Sequence, residues 1–251
     1  MPALKTIALY NVKGGVGKTA AAVNLAYLSS RTSFSTLLWD LDSQGASTYC
    51  LHKKGIDLNL KKLIKGQGKI ADYIIKTSYK NLFIIPSDFS LRHLDNYLIG
   101  QSKSKQKLKD ALSTLRDKFD LIFLDCPPGI SKLAENIFYS ADYILVPVIP
   151  SKLSIRSYHQ IMNFIDRKGF KPNRVIPFFS MVDLRRKIHK DSILDLQRNM
   201  SNICHNCIPY LSDIEKMSEN RKPVSVSKPA SGAALAYQML WEEIMKSMAI
   251  E

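Results

Sequence analysis

The chain has 251 residues, 45% hydrophobic and 23% charged, the proportions of an ordinary globular sequence long enough for one sizeable core. No apolar run approaches the ~20 residues that cross a bilayer, and the four cysteines are too few for a disulfide scaffold. The charge is unusual: Lys and Arg number 36 against 22 Asp and Glu, a formal net charge of +14, which favours polyanions such as nucleic acid, acidic lipid or an acidic protein. The N-terminal residues lead straight into a strand pattern with no signal-peptide profile, so a reducing cytoplasm is the expected compartment.

In chain order, apolar β-type runs predict strands over residues 5–10, 36–40, 82–86, 121–125, 143–148, 175–181 and 207–210. Helical patterns fall between them over 18–30, 69–77, 104–118, 131–139, 153–168 and 188–202, with a closing helix over 232–248. Several strands are continuously apolar, such as Leu121-Ile122-Phe123-Leu124 and Tyr143-Ile144-Leu145-Val146, which suits a parallel sheet covered on both faces. Repeated β–α alternation predicts a doubly wound α/β fold, mostly parallel with helices on both faces. With no internal repeat, linker or low-complexity tail, residues 1–251 read as a single domain.

The most informative stretch is Asn11-Val12-Lys13-Gly14-Gly15-Val16-Gly17-Lys18-Thr19, followed by Ala20, between the first strand and the first helix. Strand, glycine-rich loop and helix is the context of a P-loop. The glycines bring successive N–H groups up to phosphate oxygens, and the helix N-terminus adds partial positive charge. Lys18 can reach the β- and γ-phosphates, and the Thr19 hydroxyl can ligate Mg²⁺. Val12 replaces the first glycine of the G-x-x-x-x-G-K-[ST] pattern, and Lys13 adds a second lysine at the loop mouth.

Two strand ends supply acids. Asp125 closes 121–125, where ligands bind in open α/β sheets, and is placed to hold the Mg²⁺ shell. Asp40 and Asp42 end 36–40 with an i, i+2 pair. Asp42 is the candidate to orient the attacking water and join the metal shell, whereas Asp40 reads as a turn cap.

Lys13–Thr19, Asp40-Leu41-Asp42-Ser43-Gln44-Gly45 and Asp125-Cys126-Pro127-Pro128-Gly129 resemble the deviant Walker A, switch I and Walker B of the ParA/MinD superfamily of ATPases. The likeness continues through Met181–Arg185, Ile208-Pro209 and Gly232–Ala236, and Asn11-Val12 before Lys13 is closer to the ParA branch. The resemblance implies ATP and Mg²⁺ as cofactors and an ATP-bound homodimer in which Lys13 of each subunit reaches the other's phosphates. It further implies non-specific DNA binding by that dimer, a partner protein that stimulates hydrolysis, and a cytoplasmic, nucleoid-associated cycle that segregates or positions DNA or other cargo. The sequence departs from the family at Ala20, Ser43, Ala46, Tyr210 and Leu211; near the adenine only Pro209 carries over.

Basic residues of the C-terminal elements line the DNA face in relatives, which makes Arg185, Arg186, Lys187 and Lys190 candidates, with Arg221, Lys222 and Lys228 beside them. Lys103, Lys105, Lys107 and Lys109 read instead as a solvated helix surface, because i, i+2 spacing scatters charge around a helix. Cys204 and Cys207 lack a second ligand pair for zinc and read as packing residues, as does Cys126. No cysteine lies between Cys50 and Cys126, so the paired ligands of a nitrogenase-type iron–sulfur protein are missing. The alternative is a MinD-like membrane-associated regulator. The end of the chain, 240–251, carries three acids against one lysine and lacks the basic amphipathic face that role needs, so no membrane partner is expected.

Overall fold

The computed structural model of the protein describes residues 4–52, 68–99, 106–171, 174–200 and 202–249. Its centre is a seven-stranded sheet of β1 (Lys5–Leu9), β2 (Thr36–Asp40), β3 (Ile75–Lys76), β4 (Leu82–Ile85), β5 (Leu121–Asp125), β6 (Tyr143–Val148) and β7 (Val175–Phe179). The order is β3-β4-β2-β5-β1-β6-β7, parallel throughout except for β3, which runs antiparallel to β4 at one edge. Every residue of β2, β5 and β7 is buried, as continuous apolar runs require when helices cover both faces.

Alternation along each strand divides the core. Ala8, Tyr10, Leu37, Trp39, Ile122 and Leu124 face one side, where α4 (Lys107–Ser113), α5 (Lys132–Ser140) and α6 (Lys152–Lys168) pack. Ile7, Leu9, Leu38, Phe123 and Leu145 face the other, covered by α1 (Lys18–Arg31) and α11 (Gly232–Ser247). The remaining described α-helices are α2 (Ala46–Leu51), α3 (Leu94–Ile99), α7 (Lys187–Asn199) and three single-turn pieces, α8 (Ser212–Glu215), α9 (Met217–Asn220) and α10 (Val224–Ser227). Serine caps start two of the long helices: Ser131 Oγ accepts from Ala134 N and Ser231 Oγ from Ala234 N.

The doubly wound fold expected from the sequence is the fold observed; α2 and α3 were not expected, and three expected elements differ locally. The predicted helix over 69–77 is a 3₁₀ turn, Ile70–Tyr73, leading into β3, because Ile75 pairs with Ile84 at the sheet edge. The predicted strand over 207–210 is reduced to a bridge, Val182 to Pro209, since proline has no N–H to extend a ladder. The helix predicted over 104–118 is described as Lys107–Ser113, and Lys103 and Lys105 lie outside the described residues. Lys107 and Lys109 point to different rings, Tyr97 and Tyr139, at 5.0 and 5.2 Å, as scattered charges on one short helix would.

One buried polar side chain ties α1 to the C-terminal segment. Asn24 Nδ2 donates to Ala20 O at 2.8 Å and to Met217 Sδ at 3.0 Å, while Oδ1 accepts from Val224 N at 2.8 Å. Removing that amide strands the Val224 N–H in a dry interior. Asn24→Ala is therefore expected to destabilise the protein by about 1–3 kcal/mol, read as a lower urea midpoint at unchanged slope; an unaltered midpoint would contradict the role assigned to Asn24.

Candidate functional site

β1 ends at Leu9, and the chain passes into a loop pinned from beneath. Asn11 is buried; its Nδ2 donates to Pro147 O at 2.8 Å and its Oδ1 accepts from Lys13 N at 2.9 Å. Tyr10 Oη donates to Gly129 O at 2.8 Å, and Gly129 N donates to Val12 O at 3.0 Å. The loops after β1 and β5 are thus tied to each other and to the end of β6 at the C-terminal edge of the sheet.

Gly15 and Gly17 adopt φ of 69° and 90°, values that side chains other than glycine's resist. A Cβ on Gly17 would stand 2.7 Å from Ser180 Oγ, whereas at Gly14 and Gly15 it would meet nothing within 4 Å. The loop therefore wraps open space on one side and is closed against β7 on the other. Gly17 caps α1 without a side-chain hydrogen bond, so the first N–H groups of that helix keep their anion-binding capacity. Lys18 is buried, its Nζ donating to Lys13 O at 3.2 Å; burial lowers its pKa, with Asp125 opposing. Lys13 is half-buried at the mouth, and Val16 is fully buried beneath it.

The acids converge on this loop. Asp40 and Asp125 are register partners on β2 and β5, exposed 0% and 1%. Ser47 Oγ donates to Asp125 Oδ2 at 2.7 Å, and Asp125 Oδ1 is buried without a hydrogen-bond partner. Burial raises the Asp125 pKa, while the Ser47 and Thr19 hydroxyls and the Lys18 ammonium pull the other way. Asp40 is raised too, by burial first and by the Asp125 charge second. Asp40 Oδ2 accepts from Thr48 N at 2.8 Å and Thr48 Oγ1 at 2.7 Å, and Oδ1 accepts from Asp42 N at 3.2 Å. The cap reading of Asp40 matches this geometry. Asp42 is half-buried one turn outward, with Oδ1 accepting from Gln44 N at 3.0 Å.

Beside the loop lies a cleft of about 240 Å³ lined by Gly15, Gly17, Ala20, Met181, Pro209 and Tyr210. Tyr210 Oη donates to Glu215 Oε1 at 2.7 Å at its rim, and Met181 holds a positive φ of 55°. Pro209 thus lines the same cleft as the P-loop glycines. Ser47, Thr48 and Ser180 were not singled out in the sequence, because a serine or threonine in a loop carries no local signature.

The basic candidates are less uniform. Arg186, Lys187 and Lys190 are exposed at the start of α7, but Arg185 is forked onto Asp183, Nε to Oδ1 and Nη2 to Oδ2, both at 2.9 Å. Lys222 and Lys228 are exposed. Arg221 is turned inward: Nε donates to Tyr49 O at 2.9 Å and Nη2 to His52 O at 2.7 Å. The sequence reading names Arg221 beside Lys222 as a DNA contact; in the structure its donors face α2. Cys50, Cys126 and Cys204 are buried and Cys207 half-buried, all free, and no cluster of three metal-ligating His, Cys, Asp or Glu occurs among the described residues.

A parallel sheet feeding a glycine-rich loop into a helix N-terminus, with carboxylates on the two strands next to it, defines a P-loop nucleotide-binding protein. Residues 4–176 match a family model described as AAA domain. The chain is similar to the sporulation initiation inhibitor protein Soj of Bacillus subtilis, 26% identical over 247 residues that cover 96% of this chain and 98% of Soj. It is also similar to the cell division protein PomZ of Myxococcus xanthus, 27% identical over 242 residues covering 94% of this chain and 76% of PomZ. Its fold superimposes on the ATP complex of Cyanothece McdA with a TM-score of 0.84 at 24% identity, over 100% of this chain and 98% of McdA. The chain belongs to the AAA domain family and, with these relatives, to the ParA/MinD superfamily of P-loop ATPases.

The buried acids carry a testable cost. With pKa values raised on folding, the native protein keeps protons that the unfolded chain has released. Stability therefore falls as pH rises from the ordinary carboxylate value, near 4, toward neutral. Asp125→Asn is expected to raise the urea midpoint of the nucleotide-free protein at pH 7.5, by about 1–3 kcal/mol, with no gain at pH 4. A lower midpoint at pH 7.5 would contradict it.

Proposed function

We propose that this protein is a Mg²⁺-dependent ATPase that works as a nucleotide-gated switch. As an ATP-bound homodimer it binds DNA without sequence preference. It segregates or positions DNA or another cellular cargo with a partner protein that stimulates hydrolysis, in the cytoplasm and on the nucleoid. Residues 1–251 act as one ParA-like ATPase domain. The observation that carries this reading is the Asp125 carboxylate, sealed from water with one oxygen unpartnered, beside Thr19 at the P-loop helix. A buried acid of this kind fits the role of a cation ligand better than a purely structural one.

The residues present match that chemistry. Backbone N–H groups of Gly14 to Ala20 would receive the phosphates, with Lys18 Nζ moving from the Lys13 carbonyl to the β- and γ-oxygens. Thr19 and Asp125 would hold Mg²⁺, directly or through water, with Asp42 at the open side. When bound, Mg²⁺ would neutralise charge developing on the phosphate oxygens. Asp42 Oδ2, which makes no hydrogen bond among the described residues, would orient the attacking water. Lys13, at the mouth of the loop, would lend its charge to the nucleotide of the facing subunit, where two triphosphates would otherwise repel. The adenine would enter the cleft beside Pro209 and Tyr210.

Support for a DNA partner comes from charge placement. Arg186, Lys187 and Lys190 crowd the N-terminal turn of α7, where the helix dipole disfavours cations. That arrangement costs stability unless a polyanion is present, and it is salt-sensitive by nature. Among the described residues no helix is long and apolar enough to cross a membrane.

Two predictions follow from these assignments. Lys18→Gln is expected to abolish binding of a fluorescent ATP analogue, whereas Lys13→Gln retains binding but loses the ATP-dependent increase in size by light scattering; full affinity in the first or full dimer in the second would contradict the roles given. Neutralising Arg186, Lys187 and Lys190 together is expected to weaken DNA retention and flatten its salt dependence while leaving DNA-free hydrolysis intact; undiminished retention would remove α7 from the DNA face.

A further inference from the structure

Arg221 sits in the left-handed region, φ 50° and ψ 48°, which glycine enters freely and an arginine does not. Its side chain accounts for its presence there. The guanidinium donates to the carbonyls of Tyr49 and His52 and stacks on the Tyr49 ring at 4.2 Å from the centroid. Those carbonyls lie at the C-terminal end of α2, where the last acceptors find no donors within the helix and the partial negative charge gathers. A cation with two aimed donors suits that end well.

The other end of α2 reaches the nucleotide site. Ser47 donates to Asp125, and Thr48 donates to Asp40 through both its amide and its hydroxyl. Thr48 Oγ1 also accepts from Ser87 N at 2.8 Å, fixing the loop after β4. Yet α2 is only six residues long and starts at Gly45 without a side-chain cap, so it is not stable on its own account. Besides the Arg221 grip, Cys50 Sγ rests 3.9 Å from Met217 O, and Met217 is buried. The segment 217–221 therefore anchors the helix that holds both buried acids.

We propose that Arg221 is a positioning residue for the Mg²⁺ site: by clamping the C-terminal end of α2 it fixes Ser47 on Asp125 and Thr48 on Asp40. The clamp also joins the segment carrying Lys222 to the strand ends, so displacement of that segment by a partner would be felt at the metal. This inference rests on the ATP–Mg²⁺ reading above and adds to it a residue that no local motif contains.

The test uses Arg221→Gly, which removes the side chain and suits the backbone, alongside Arg221→Lys, which keeps charge without the fork. In the full-length, nucleotide-free protein, amide exchange at residues 48–52 is expected to quicken about tenfold or more in Arg221→Gly, with α1 and α11 unchanged. Affinity for ATP in EDTA should stay at the wild-type value, since the P-loop is untouched. The Mg²⁺ concentration for half-maximal hydrolysis should rise about tenfold or more, the usual consequence of losing a partner that orients a metal ligand. Arg221→Lys should fall between the two. Wild-type Mg²⁺ dependence or wild-type exchange in Arg221→Gly would overturn the proposal. Failure of the wild-type protein to bind ATP would instead overturn the nucleotide reading, and exchange at α2 would still decide whether the clamp exists.

Discussion

Two carboxylates on neighbouring strand ends, both shut away from water, set the terms for the rest of the molecule. Asp40 and Asp125 are paired in register, and burial alone pushes each toward its neutral form. Like charges at this spacing cannot both ionise cheaply in a dry interior. The surrounding groups respond to that problem. Thr48 takes up Asp40 with two donors, Ser47 takes one oxygen of Asp125, and Lys18 lies close enough to Asp125 to oppose its burial cost. What remains is one carboxylate oxygen with no partner, and it lies at the foot of a loop shaped for phosphate.

The sheet order explains why these groups meet. β1 lies between β5 and β6, while α1 carries the chain across β5 to β2. The loop after β1 therefore opens where the winding reverses direction, the crevice in which open α/β sheets receive ligands. The buried site side chains Lys18, Asp40, Ser47 and Asp125 come from strand ends or first helical turns, so the rigid sheet positions them and the loops complete the cradle. The cross-ties Tyr10 to Gly129 and Asn11 to Pro147 keep the loops in register with one another. A change in the occupant of the cradle would be transmitted along the same ties.

The parts of this site that could be read from the sequence were those with local signatures. The run from Lys13 to Thr19 and the acids Asp42 and Asp125 all lie within a few residues of an apolar strand, and periodicity located six of the seven strands as strands. β3 was missed because Ile74-Ile75 reads equally well as part of a short helix, and only pairing with Ile84 decides it. α2 was missed because six residues, Ala46 to Leu51, are too few to show a helical period. The contacts of Arg221 were missed for the same reason: its partners Tyr49 and His52 are about 170 positions away, and a basic residue next to Lys222 looks like surface charge until the fold brings α2 to it. Local chemistry is legible in one dimension; what holds it in place is a long-range contact and is not.

The most direct measurement is the number of protons exchanged when Mg²⁺ and ATP bind together, obtained by titration calorimetry near pH 5.5, below the raised Asp125 pKa of about 6, in two buffers of different ionisation enthalpy. A cation meeting the raised Asp125 carboxyl must drive off the proton that burial retains, so the account predicts a net release in the wild type, beyond that of ATP and Mg²⁺ mixed alone. Observed heats that are the same in the two buffers once the ATP–Mg²⁺ contribution is subtracted, meaning no protons released, would mean that Asp125 does not meet the metal.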